Sequence, residues 1–214
     1  MGSEKSDMNL VRRRREEIRR AILDAAIREF AKNGLAGTST QALAAAAGLT
    51  KAQLHYYISS KEELYEEALH FIVREWRTIF FVSAGSDDPA ETIASYIERK
   101  IRHALDHPEV SRLFANEVAR GAYVLSRHWG ELKQAVEEAS GVIEGWIAAG
   151  RIRPVDPLLF QMNMWAVTQH YAEYEAQARH LLGVPEGTPL DAERIIAEAQ
   201  DMFLLRCGLT PPAR

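Results

Sequence analysis

The side chains here that could do chemistry are spaced for recognition, not for bond-breaking. Between Thr50 and Tyr57 come Lys51, Gln53, His55 and Tyr56, which fall on outer or edge faces if the stretch is a short helix. Such a helix fits the major groove of DNA, about 12 Å wide. There the Gln53 amide can read a base edge, and the Lys51 ammonium can meet a guanine or a phosphate. Thr38, Tyr56 and Lys61 are placed as phosphate anchors that set the register, and Thr50 caps the helix. Upstream, Arg12, Arg13, Arg14 and Arg15 are consecutive, and six arginines lie between Arg12 and Arg20. A basic arm of this kind can follow the phosphates or enter an adjacent minor groove.

A second constellation suits a small flat ring. Trp165 and Gln169 are four apart, so a helix presents them on one face. One supplies an aromatic plane, the other an amide that both donates and accepts. Trp76 could close the opposite side, and Tyr123 and Tyr174 complete the candidate ligand-binding set. The competing use of these aromatics is as core or dimer-interface filling.

Catalysis finds no support. There is no phosphate-binding glycine loop, no carboxylate pair beside a histidine and no nucleophile elbow, so no catalytic residue and no cofactor are expected. His103 and His107 are four apart, but no cysteine or third histidine lies near and His107 precedes Pro108, so no metal site is expected. Cys207, the single cysteine, rules out an internal disulfide and fits a reducing compartment. Its basic neighbour Arg206 is the sole argument for reactivity, so it reads as an inert thiol.

The elements that must position these groups are all helical. Ala, Leu, Glu, Arg and Ile dominate, no stretch alternates with period two, and about nine helices are expected in an all-α chain. The first should run from about Asn9 to Asn33, with Ile18, Ile22, Ala25, Ala26 and Phe30 as its apolar stripe, and end at Gly34. Thr40–Ala47 and Thr50–Tyr57 then form a helix-turn-helix. The alanines from Ala42 to Ala47 allow close approach, Gly48 takes the turn, and Leu43, Leu49 and Leu54 point inward. Ser60 and Glu63 form a capping box that opens a fourth helix to about Val82. Gly85–Pro89 is the expected hinge. Later helices are expected near Pro89, Pro108, Gly130, Pro157 and Pro189.

Two units result: a DNA-binding domain over 1–64 with a basic N-terminal arm, and a ligand-binding and dimerisation bundle over 65–214. The last two long helices, 157–182 and 189–207, carry surplus apolar surface in Leu158, Leu159, Met162, Trp165 and Ala166, and in Ile195, Ile196, Ala199, Met202 and Phe203. Paired about a two-fold axis they would form a four-helix interface. Two recognition helices would then reach successive major grooves about 34–36 Å apart, on a palindromic operator.

Charge follows the same division. The 214 residues carry a net charge of −4. Residues 1–64 hold 11 Lys+Arg against 8 Asp+Glu, a local +3, and the remainder carries −7. The basic charge thus sits with the helix-turn-helix. No apolar run reaches the roughly 18–20 residues of a membrane span, and no apolar signal core opens the chain. Together with the cysteine usage, this gives a cytoplasmic expectation without a membrane partner.

The stretch Thr40-Gln-Ala-Leu-Ala-Ala-Ala-Ala-Gly48-Leu-Thr-Lys-Ala-Gln-Leu54-His-Tyr-Tyr57, followed by Ser60-Lys-Glu-Glu-Leu64, resembles the TetR family signature. Ile58 stands where that family usually carries an aromatic, and His55 is also unusual there. Trp76, Ser111–Phe114, Gly141–Gly150 and Trp165–Tyr174 are similar to the pyrimidine-utilisation subgroup. The resemblance implies a homodimeric, all-helical transcriptional regulator, in most cases a repressor. It further implies a small-molecule effector such as uracil or thymine that releases DNA. The alternatives are a sensor of an apolar drug or lipid and, from another class, a helical enzyme or adaptor without DNA binding.

Overall fold

The computed structural model describes residues 2–79 and 87–212, with the side chains of residues 2–8, 11 and 77–79 outside that description. The expected helix end at Val82 and the loop residues Gly85 and Ser86 lie outside the described residues. Ten α-helices and one 3-10 turn make up the described chain: α1 (Gly2–Gly37), α2 (Thr40–Ala46), α3 (Lys51–Tyr57), α4 (Lys61–Ile79), α5 (Pro89–Asp106), α6 (Pro108–Ala119), the turn Leu125–His128, α7 (Trp129–Ala148), α8 (Pro157–Glu173), α9 (Glu175–Leu182) and α10 (Ala192–Cys207). The all-α expectation holds.

Local chemistry explains most boundaries. Thr50 and Gln53 form a reciprocal capping box at the start of α3, so both amides freed there are satisfied within one turn. The Ser60 hydroxyl accepts the Glu63 amide at the start of α4. Asp88 and Asp156 each cap a helix whose first residue is proline. Gly48 takes φ +69° in the α2–α3 turn, where a side chain would be strained.

Three boundaries differ from expectation. First, α1 is helical from Gly2, and its end is a bend at Gly34 (φ 67°, ψ 173°) followed by a short continuation to Gly37. Second, the single helix expected over 157–182 is broken at Tyr174 into α8 and α9. At the break, Arg112 of α6 serves the freed groups: its Nε donates to the Ala172 carbonyl at 2.8 Å and its guanidinium pairs with Glu175. Third, α10 begins at Ala192 with Asp191 as cap, not at Thr188-Pro189.

Two apolar cores organise the helices. The first gathers Ile22, Ile27 and Phe30 of α1, Leu43 of α2, Leu54 of α3, Leu64 to Trp76 of α4 and Leu113 of α6. The second gathers Ile93, Ile97 and Ile101 of α5 with side chains of α7, α8 and α10. Because α4 runs through residue 64 without interruption, the helix-turn-helix shares its core with α4 and α6. Half-buried Trp165 packs against both cores.

Candidate effector cavity and nucleic-acid interface

α3 is held by one fully buried side chain, Leu54, which contributes about 1.5–3 kcal/mol. Half-buried Tyr57 and Ile58 pack beside it. The remaining surface of α3 faces outward: Lys51, Gln53, His55 and Tyr56 are all exposed, Tyr56 by 74%. Tyr56 stands edge-on against Tyr57 at 5.2 Å. The Gln53 Oε1 is occupied by the Thr50 amide at 2.9 Å, which leaves its –NH2 donors outward.

Two of the expected phosphate anchors are placed otherwise. Thr38 is only 2% exposed, and its hydroxyl donates to the Gly34 carbonyl at 2.7 Å. Lys61 Nζ donates to the Leu35 and Thr38 carbonyls at 2.9 and 3.0 Å. A cation at the C-terminal end of a helix satisfies carbonyls left without partners and favours the dipole. Thr38 and Lys61 therefore lock the end of α1 and seat the helix-turn-helix on it. The arginines lie within the first helix, as its expected start near Asn9 implies. Arg12, Arg13, Arg14 and Arg15 are exposed but sit on α1 and not on a loose arm, and Arg12 pairs with Glu16 at 3.0 Å.

The ring-binding set is partly brought together. A cavity of about 80 Å³ is lined by Trp76 of α4, Tyr96 and Lys100 of α5, Phe114 of α6, Leu132 of α7, and Trp165 and Gln169 of α8. It lies at the seam between the two cores. Tyr123 is 80% exposed and Tyr174 is 56% exposed, and neither lines the cavity. Tyr123 lies past the end of α6, and Tyr174 occupies the α8–α9 break, where its ring stacks on His170.

Lys100 is the feature of the cavity that inspection of aromatics missed. It is only 4% exposed, and its Nζ sits 3.5 Å from the centroid of the Trp76 ring. Burial pushes its pKa down to about 7, and Glu173 offsets part of that. No ion pair holds it among the described residues. A signal existed in the sequence: Lys100 lies seven residues after Ile93 and four after Tyr96, inside the apolar stripe of α5. Burial raises the Tyr96 hydroxyl well above the usual tyrosine range, against an opposing hydrogen bond from the Trp165 indole. The Trp76 indole N–H is buried without a partner among the described residues.

The arrangement is thus a small aromatic chamber with a lysine, an amide and an indole donor in its wall. The two histidines weighed as metal ligands have rings 5.2 Å apart. Burial, reinforced by Lys100 and His107, pushes His103 down to about 4. Burial pushes the Cys207 thiol up to about 11, away from reactivity.

Residues 22–68 match the family model for bacterial regulatory proteins of the tetR family, and residues 69–210 match the YcdC-like C-terminal region. The chain is 36% identical over 166 residues to the HTH-type transcriptional regulator RutR of Escherichia coli K12, covering 77% of this chain and 78% of that one. Its fold is like that of the ketosteroid regulator KstR2 of Mycobacterium tuberculosis, at TM-score 0.69 and 22% identity over 93% of this chain and 96% of that one. It is also like AibR in complex with isovaleryl coenzyme A and operator DNA, at TM-score 0.67 and 21% identity over 91% and 98%. No helix among the described residues is long and apolar enough to cross a membrane. The outward α3, the small chamber at the core seam and the two contiguous family matches converge: the chain belongs to the TetR family, as a ligand-responsive transcriptional regulator and not an enzyme.

Proposed function

We propose that this protein is a homodimeric repressor whose operator is released when a small planar, carbonyl-bearing ring of the pyrimidine type enters the cavity. The observation that carries the ligand class is Lys100, a buried lysine with no ion pair among the described residues, in an aromatic chamber of single-ring size. A buried cation is costly until something accepts from it. Ring carbonyls accept hydrogen bonds from the lysine and from the Trp76 indole, which has no partner among the described residues, while the Gln169 amide complements an edge that alternates donors and acceptors. The subgroup resemblance points to the same chemistry. An apolar drug or lipid suits the chamber less, because pockets for drug-sized ligands run to about 300–1,000 Å³.

On the DNA side, Lys51, Gln53, His55 and Tyr56 of α3 meet the major groove, with Gln53 reading a base through its –NH2 group. Thr50 organises the start of the helix. Arg12 to Arg15 supply phosphate contacts from α1. The dimer forms through α8 and α10, where Leu158, Leu159, Met162, Met202 and Leu205 are exposed apolar residues. Ile195, Ile196, Ala199 and Phe203 are buried in the second core and are not available to a partner. Ligand release follows from position. Trp76 belongs to α4, and α4 shares its core with the helix-turn-helix. A ring that binds better in one setting of α4 shifts the population toward that setting.

The test combines two assays. Calorimetry of the full chain with uracil and thymine should give saturable binding, and either base should reverse a gel shift made with the upstream intergenic DNA. Gln169→Leu should abolish that reversal and leave operator binding intact. Normal reversal in this variant would remove Gln169 from the site.

A further inference from the structure

Away from the cavity and from α3, α4 and the start of α7 face each other with metal-binding chemistry. Glu66 and His70 are one turn apart on α4. His128 ends the 3-10 turn, and Glu131 follows three residues later in the first turn of α7. His70 Nε2 lies 3.6 Å from a Glu131 carboxylate oxygen, and His128 Nε2 lies 3.7 Å from a Glu66 oxygen. The two imidazole rings stack at 4.6 Å with 13° between their planes.

We propose that His70, His128 and Glu131 form a binding site for a zinc-like divalent transition metal, separate from the effector cavity, that ties α4 to α7. The donor atoms of these three residues all lie within 4.8 Å of one another. The separation of 3.6 Å between His70 and Glu131 is too long for a hydrogen bond. It is close to the roughly 3.4 Å between two ligands on a tetrahedral ion with bonds of about 2.1 Å. His128 Nε2 is buried and makes no hydrogen bond among the described residues. A buried imidazole nitrogen left in that state is unfavourable, and a metal bond would satisfy it.

The donor set also selects the ion. Two imidazoles and one carboxylate suit zinc, nickel or cobalt, whereas calcium and magnesium call for oxygen donors throughout. His70 and Glu131 remain partly exposed, which gives an ion a path in and leaves a fourth position for water. Glu66 holds Arg127 through its other oxygen at 2.8 Å, so it is already engaged in an ion pair beside the site.

The consequence is mechanical. His70 precedes Trp76 by about 9 Å along α4. An ion clamped between α4 and α7 would hold α4 in the setting seen here and oppose the shift that effector binding requires.

Chelator-treated full chain, titrated with Zn²⁺ by calorimetry and with Co²⁺ by visible absorption, tests this. One ion per chain is expected, with a tetrahedral cobalt spectrum and a rise in melting temperature. His70→Gln and His128→Gln should each weaken Zn²⁺ binding by about tenfold or more. Glu131→Gln, at a half-exposed position in the first turn of α7, serves as the variant least able to disturb folding and should weaken it as well. His103→Gln should change nothing. Absence of saturable Zn²⁺ binding, unchanged binding in both His128→Gln and Glu131→Gln, or an equal loss in His103→Gln would overturn the site. None of these outcomes depends on the identity of the organic effector.

Discussion

On the proposed function, Lys100 links ligand recognition to stability. Its folded-state pKa near 7 lies below the ordinary lysine value of 10.5, so between those limits the unfolded chain binds more protons than the folded one. Stability should therefore rise with pH across that window, while below pH 7 the full cost of burying the ammonium is present. Each unit of depression corresponds to about 1.4 kcal/mol. Lys100→Met should raise the midpoint of urea unfolding at pH 7, flatten its climb between pH 7 and 10, and abolish binding of uracil in calorimetry. Lys61 has the opposite character: its ammonium caps α1. Lys61→Met should cost about 1–2 kcal/mol in urea unfolding and leave the salt slope of DNA binding unchanged. A reduced slope would return Lys61 to the phosphates. The distinction between these two lysines was only half legible. The apolar stripe of α5 marked Lys100 as buried, but nothing local showed that Lys61 would reach carbonyls 23 and 26 residues away.

At the scale of elements, the helix-turn-helix was read closely because its signals are local. The cap at Thr50, the glycine turn at Gly48 and the inward leucines act within a few residues of each other. The basic segment falls inside the helix expected from about Asn9, and it lies on α1. Its place on α1 changes the expectation for DNA. Consecutive residues on a helix point about 100° apart, so the exposed Arg12 to Arg15 cannot all face one phosphate strand. Removing residues 1–15 should lower the slope of log affinity against log salt by about two or three, not four. Fluorescence anisotropy with labelled operator across a salt series measures this. The break between α8 and α9 was invisible for another reason: the Arg112 guanidinium that meets the freed Ala172 carbonyl there belongs to α6 and acts across the fold.

For the whole molecule, the apolar residues left outside the two cores set the prediction. Leu159 is 55% exposed and Met202 is 55% exposed, and both line one groove beside Val155, Phe160 and Phe203. Met202→Glu combined with Leu159→Glu should convert the protein to monomer in sedimentation and cut operator affinity by two orders of magnitude or more, with the effector cavity still competent. An unchanged sedimentation coefficient would move the interface elsewhere.

The amino-acid sequence by itself determined the helical class, the helix-turn-helix and the separation of basic from acidic charge. All of these rest on periodicity, capping and turn chemistry within a few residues. It also singled out Trp165 and Gln169 by helical spacing and residue type, and with Trp76 they line one cavity. Only the tertiary structure decided that Tyr96, Lys100 and Phe114 join them and that Tyr123 and Tyr174 do not. It alone turned Thr38 and Lys61 into internal ties. Those outcomes depend on which helices meet at the seam of two cores, and contacts between residues far apart in the chain leave no local pattern to read.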